Sequence, residues 1–208
     1  MRFILLFVGF LIALGAWYVG NNWSSPPFHP YGTVLGTNHG VVAYSNGRTK
    51  TLSFESHHVG IHYSGMKWQC VEYARRWLIT VKNVTFESVD IAQDIWSLQY
   101  FVKLDDGNKQ CVPIPVVLHE NGKASMPPSV GAILIWPVGK EIGPYGHVAV
   151  ITGVGLGTVE VTEQNYDDTV MWEGTSRHSS RTLTISTSPH DGFTIQSPEP
   201  LSGWITFG

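Results

Sequence analysis

Three short apolar runs in the second half of the chain constrain its fold more than any other feature. The runs VGAILIWP, GHVAVITGV and TVEVTEQN, at residues 130–137, 146–154 and 158–165, are rich in β-branched residues and are separated by glycine and proline. Such runs are typical of strands joined by tight turns. Since the segments before them have helical periodicity, the sequence predicts an α+β domain in which helices precede an antiparallel sheet.

The strongest helical pattern lies upstream of these strands. Apolar residues between Cys70 and Val81 recur at helical spacing, with Glu72 and the two following arginines on other faces. Residues 89–102 have a weaker pattern of the same kind and predict a second helix. Residues 31–44 are rich in glycine and β-branched residues, which indicates short strands and turns.

Size and charge exclude several classes of protein. The chain has 208 residues, a formal net charge of −3 and 14% charged residues. This length suits one domain with a tail. A nucleic-acid partner is not expected, because the sequence has no basic stripe. No repeat of 20 to 50 residues is visible, so a solenoid is not expected either.

The amino terminus is predicted to lie outside the folded domain. The chain carries no charge from Phe3 to Gly20, which is close to the minimum length for a membrane span and also fits a secretory signal peptide. We therefore expect residues 1–20 to be a signal peptide or a transmembrane anchor. Residues 21–30 would then form a Pro/Ser linker, and residues 31–208 the domain.

This leader predicts where the domain is found. A lone Arg2 before the apolar segment favours a cytosolic amino terminus, so the domain would be exoplasmic, membrane-anchored or secreted. Sequons at Asn22 and Asn83 agree with that location and predict a glycoprotein.

Only two cysteines, Cys70 and Cys111, are present. Cys70 begins the predicted helix, where the helix macrodipole favours the thiolate and the first-turn amides could stabilise an oxyanion. A nucleophile is therefore one interpretation. A Cys70–Cys111 disulfide in an oxidising compartment and a buried thiol of purely structural role are the alternatives.

A cysteine nucleophile needs a histidine base, and His147 is the best placed of the nine histidines. It begins a predicted strand that turns near Leu156 and returns towards Glu163 and Asn165. An odd-length loop centred on Leu156 would pair His147 with Asn165 and put Glu163 on the same face. An even-length turn would put Glu163 on the opposite face, so this step depends on the turn.

Other polar residues have weaker claims to chemistry. His57, His58 and His62 could supply metal ligands, since two of them are spaced as on one helix face, but Gly60 interrupts them and a solvated loop is favoured. His178 and His190 are predicted to lie in loops. The run Asp105-Asp106-Gly107-Asn108 is typical of a turn.

The segments GMKWQCVEYARRWL, VGAILIW, GPYGHVAVIT and TEQN resemble the CHAP domain, the cysteine, histidine-dependent amidohydrolase/peptidase. The resemblance is strongest to the amidase half of glutathionylspermidine synthetase/amidase and its trypanothione-pathway relatives, and it covers about residues 31–204. It implies a papain-like fold in which the nucleophile helix packs on an antiparallel sheet. It also implies hydrolysis of an amide through a thioester, without a metal or an organic cofactor.

The same resemblance implies roles for individual residues. Cys70 would be the nucleophile, His147 the general base and acid, and Glu163 the group that orients the imidazole. Gln69 and Asn165 would provide oxyanion or other polar support. Arg75 would meet a substrate carboxylate, with a solvated helix face as the alternative.

The implied substrate is a peptide-like amide, such as a glutathione–polyamine conjugate. Synthesis of that amide is not expected, because 208 residues leave no room for the ATP-dependent ligase domain of the bifunctional enzymes. An exported peptidoglycan endopeptidase, cutting for example next to a D-alanine, is the alternative enzyme. A non-catalytic binding module with a Cys70–Cys111 disulfide is the third hypothesis.

Overall fold

The computed structural model describes residues 28–47, 52–104, 112–140, 142–172, 178–188 and 192–208. The predicted leader, most of the linker, Asn22 and Cys111 lie outside these ranges, as do His190 and the predicted turn at residues 105–108. Within these ranges no helix is long and apolar enough to span a membrane. The leader, the exoplasmic location and the glycosylation stay predictions.

Strands dominate the described residues. The residues also include one α-helix, α1, at Cys70–Trp77, which continues as a π-helical turn at Leu78–Lys82, and a 3-10 helix at Ala92–Ser97. The thirteen strands that the structure describes are β1 Val34–Asn38, β2 Val41–Tyr44, β3 Ser56–Val59, β4 His62–Met66, β5 Val84–Thr85, β6 Tyr100–Lys103, β7 Val112–Glu120, β8 Ile133–Trp136, β9 His147–Gly155, β10 Thr158–Thr162, β11 Arg181–Ser188, β12 Gly192–Ile195 and β13 Gly203–Phe207.

The helix predicted at residues 70–81 is confirmed, but the second predicted helix is wrong. Residues 89–102 form only the short 3-10 helix and then enter β6, because Leu98 adopts an extended backbone and the next residues pair with β7. The short strands predicted within residues 31–44 are confirmed as β1 and β2, and all nine strands of the largest sheet follow α1 in the chain. Two hairpins, β1–β2 and β3–β4, precede α1.

One antiparallel sheet of nine strands organises the domain, in the order β12-β11-β10-β9-β8-β13-β7-β6-β5. The sheet curls, because Phe193 in β12 pairs with Ala124, just beyond β7. One face packs against α1, and the other encloses a second core around Trp136 and Trp204. Strands β8 and β9 contribute to both cores, which explains why their sequences are almost continuously apolar.

The turn between β9 and β10 is the even-length alternative, yet His147 and Glu163 still lie together. Gly155 pairs with Thr158, so the loop has two residues rather than an odd number. A bulge then leaves Thr152 unpaired, and from Ile151 onwards the pairing is shifted by one residue. This shift restores the register that puts His147 and Glu163 together.

Gly146 sets the start of β9. Its φ is +66°, and a Cβ atom added there would lie 2.6 Å from the carbonyl oxygen of Trp136. Gly143, in the same loop, also has a positive φ, of +91°, but an added Cβ would meet no atom within 4 Å. Replacing Gly143 therefore tests the cost of a left-handed backbone alone, whereas replacing Gly146 tests that cost together with a collision with the Trp136 carbonyl.

We predict that Gly143→Ala lowers the free energy of unfolding by about 1 to 2 kcal/mol, the cost of a left-handed residue. Gly146→Ala should lower it by about 3 kcal/mol or more, because the collision adds to that cost. Urea unfolding of both variants checks this. Equal losses in the two variants would contradict the collision.

Candidate active site

Cys70 is the first residue of α1, and the chain enters the helix from β4 through Gln69, whose backbone is extended. The side chain is a free thiol and the residue is 8% exposed. Two cavities meet at Cys70. The larger, of about 340 Å³, is also lined by Gln69, His147, Asn165 and Tyr166.

His147, at the start of β9, joins Cys70 to Glu163. Its Nε2 lies 2.8 Å from Oε2 of Glu163, and its ring is also hydrogen-bonded to the Cys70 thiol. Because Nε2 contacts the Glu163 carboxylate, Nδ1 is the ring nitrogen left for the Cys70 thiol. Both His147 and Glu163 are buried, at 4% and 2% exposure. The structure therefore brings the three predicted catalytic residues into one hydrogen-bonded line.

The electrostatics of this line favour an ion pair. Burial by itself raises the pKa of the Cys70 thiol, but the hydrogen bond and charge of His147, with the amides of Val148 and Val71, bring that pKa below its usual value. Burial by itself lowers the pKa of His147, but the hydrogen bonds and charges of Cys70 and Glu163 raise it to about 9. The pair can therefore hold a thiolate and an imidazolium.

Two further residues hold Glu163, and sequence reasoning missed both. Ser180 donates to Oε1 over 2.8 Å, and the Arg181 guanidinium donates to Oε1 over 2.8 Å and to Oε2 over 3.2 Å. Burial raises the pKa of Glu163, but His147, Arg181 and Ser180 outweigh it and keep this pKa low. Arg181 lies opposite Val161 in the next strand, so only the pairing of β10 with β11 could have identified it.

Gln69 and Asn165 contact each other. The Asn165 amide donates to Oε1 of Gln69 over 2.9 Å and accepts from the Asn46 amide over 3.1 Å. Asn165 has a φ of +60°. The pairing of Asn165 with His147 that the simple hairpin predicted is therefore wrong, because the strand ends at Thr162 and the chain turns.

A second buried carboxylate, Glu72, belongs to α1 itself and holds it to its neighbours. It is fully buried and accepts from Arg76 over 2.6 Å, from His57 over 2.9 Å and from Gln164 over 3.1 Å. Gln164 also donates to the backbone carbonyl of Gln69. Sequence reasoning missed this network, because it placed Glu72 on a polar face of the helix.

Arg75 is buried at 3% exposure, so the solvated helix face is wrong. Its two terminal nitrogens donate to the carbonyls of Ser64 and Glu87, over 3.0 and 2.9 Å, and its guanidinium lies over the Phe86 ring. Burial lowers its pKa. Its Nε is buried without an acceptor in the described part of the chain, and Arg75 lines the smaller cavity beside Cys70.

The remaining histidines do not form a metal site in the parts of the chain that the structure describes. His57, His58 and His62 lie in the β3–β4 hairpin rather than on a helix or in a loop. His57 is hydrogen-bonded to Glu72, as described above. His178 lies just before β11, as expected of a loop residue, and its Nδ1 is 3.1 Å from the carbonyl of Thr37.

Comparison with known proteins agrees with this geometry. The family model of the CHAP domain matches residues 61–165, which contain all six of the predicted site residues. Over 143 residues the chain is 35% identical to glutathionylspermidine synthase of Crithidia fasciculata, covering 68% of this chain and 19% of that protein.

Two further relatives are similar. The chain is 35% identical over 144 residues to the bifunctional glutathionylspermidine synthetase/amidase of Escherichia coli, covering 65% of this chain and 22% of the relative. It is 29% identical over 194 residues to trypanothione synthetase of Crithidia fasciculata, covering 89% of this chain and 28% of the relative. The chain thus spans less than a third of the length of each. The predicted enzyme class, a cysteine hydrolase of C–N bonds, is confirmed at the level of the family, because the chain belongs to the CHAP domain family.

Proposed function

We propose that this chain is an amidase that hydrolyses a peptide-like amide through a thioester on Cys70. The observation that carries the proposal is the hydrogen-bonded line from the Cys70 thiol through His147 to Glu163 at the wall of an open cavity. A disulfide-linked binding module would not need this line.

In the proposed reaction, the Cys70 thiolate attacks the amide carbon and forms a tetrahedral oxyanion. The first-turn amides of α1, with the Gln69 side chain, are the candidates to stabilise it. The His147 imidazolium then gives its proton to the leaving amine, the C–N bond breaks and a thioester remains. Water, deprotonated by His147, hydrolyses the thioester and releases the acid.

The substrate we propose is an amide that carries a free carboxylate, such as a glutathione–polyamine conjugate. Arg75 supports this choice, since its buried Nε has no acceptor among the described residues and Arg75 lines a cavity that reaches Cys70. A buried guanidinium bound only to carbonyls and rings is poorly compensated, and a ligand carboxylate would complete its bonding. The names of the relatives point to the same conjugate.

We predict that Cys70→Ala abolishes hydrolysis of glutathionylspermidine, whereas Cys111→Ala spares it. Cys70 contacts the base His147, whereas Cys111 precedes a VPIP run with no base near it in the sequence. Release of spermidine by the purified domain is the measurement, and a parallel incubation with peptidoglycan tests the alternative enzyme. Release of peptide from peptidoglycan alone would favour the endopeptidase. Equal loss of activity in both variants, whatever the redox conditions, would favour the disulfide.

Glu163→Gln should reduce kcat more than it reduces stability, because an amide still bonds to His147 but stabilises the imidazolium less. The carboxylate raises the pKa of His147, so its loss should lower that pKa and move the alkaline limb of the rate profile to lower pH. Asn165→Ala should be milder, since Asn165 contacts Gln69. Steady-state kinetics across pH checks this, and wild-type turnover by both variants would refute the role of Glu163.

Arg75→Met should raise KM at least about tenfold for a substrate with a free carboxylate, as expected for a lost charge-assisted hydrogen bond. The matched control is the same substrate with that carboxylate converted to an amide. Wild type should bind this analogue weakly, and the variant should bind both forms alike. If the variant lost affinity for both forms equally, Arg75 would have only its structural role.

A further inference from the structure

Arg181 completes the hydrogen bonding of Glu163 from outside the segment that matches the family model. Its forked guanidinium contacts both carboxylate oxygens, while Ser180 and His147 each contact one. Four hydrogen bonds thus reach a carboxylate that is 2% exposed. Arg181 therefore fixes both the orientation and the charge balance of Glu163.

The guanidinium shares its surroundings with the catalytic imidazole. It lies 3.7 Å from the ring centre of Tyr166 and 5.1 Å from that of Trp136. The His147 ring lies 5.4 Å from Tyr166 and 5.5 Å from Trp136, so the same two rings contact both cations. Two neighbouring cations are compatible here because Glu163 lies between them and contacts both.

The charge of Glu163 has opposite effects on two steps of the reaction. A full negative charge stabilises the imidazolium, which favours the thiolate of Cys70. The same stabilisation hinders the later release of the proton to the leaving amine, because a more stable imidazolium is a weaker acid. An adjacent cation offsets part of that charge, as opposite charges within hydrogen-bond distance strongly attract.

We propose that Arg181 is a positioning residue that partly neutralises Glu163 and so keeps the His147 imidazolium able to give its proton to the leaving amine. The proposal rests on the proposed function only in naming that amine as the proton acceptor. The balance of charge itself belongs to the folded protein and exists without a substrate.

The titratable and charged groups around His147 come from several elements. Cys70 faces it from α1 and Glu163 from the turn after β10. Arg181 lies at the start of β11, with Nη1 3.7 Å from Glu199. Tyr166 packs on the imidazole and donates to Glu199, and Tyr73 of α1 interacts electrostatically with Glu163.

The test is an NMR titration of the His147 imidazole in protein with labelled histidine, assigned by its loss in His147→Ala. Arg181→Gln keeps donors for Glu163 but removes the charge, so the apparent pKa of His147 should rise by about one pH unit. Arg181→Lys keeps the charge, so the apparent pKa should stay close to wild type. Thr184→Ala, at an exposed position of the same strand, is the control and should leave the apparent pKa of His147 unchanged.

A purely structural role of Arg181 predicts the opposite change in the apparent pKa of His147. If Arg181 only oriented Glu163, both variants would loosen the contact of the carboxylate with His147 and lower the apparent pKa, as expected for Glu163→Gln. A fall or no change in Arg181→Gln would therefore overturn the proposal. If only Arg181→Lys folds, a fall in that variant would overturn it and a wild-type value would support it.

Failure of both variants to fold, judged by circular dichroism, would also overturn the proposal. The NMR readout needs no substrate, so a wrong proposed function would leave it unaffected. With glutathionylspermidine as substrate, Arg181→Gln should in addition move the alkaline limb of kcat/KM to higher pH, opposite to Glu163→Gln. The loss of activity on this substrate alone would therefore count against the proposed function and not against the role of Arg181.

Discussion

The hydrogen bond between His147 and Glu163 is the interaction on which the site depends, because the same imidazole also contacts Cys70 and so links two adjacent strands to α1. Its 2.8 Å length requires that β9 and β10 pair in one particular register near His147. The bulge at Thr152 provides that register. Gly146 allows the chain to reach the start of β9 beside Trp136, and α1 supplies the thiol from the opposite side.

Two buried carboxylates anchor this arrangement, and each is matched by an arginine. Glu163 is paired with Arg181, and Glu72 with Arg76. Removing one partner of a buried ion pair lowers the free energy of unfolding by about 3 to 5 kcal/mol. These pairs therefore hold the surrounding strands and helix in one geometry. Gln164 links the pairs in space, since it follows Glu163 in the chain and donates to Glu72.

The sequence predicts well those features that depend on local pattern. The helix at Cys70, the strands of the second half and the proximity of Cys70, His147 and Glu163 follow from periodicity, helix-end chemistry and family motifs. The first prediction to fail was the helix at residues 89–102, where pairing of β6 with β7 overrides a weak helical pattern. The length of the β9–β10 turn was left open by the sequence. It is even, and the bulge compensates for the change of face that an even turn would cause, which no local signal in the sequence indicated.

Arg181 and Asn46, which sequence reasoning missed, both act across the fold. Arg181 reaches Glu163 from β11, 18 residues further along the chain, and Asn46 reaches Asn165 from just after β2. Both lie outside residues 61–165, where the family model matches. The line from Cys70 through His147 to Glu163 can therefore be recognised from short motifs. The charged and amide groups that contact this line come into place only when the sheet forms around it.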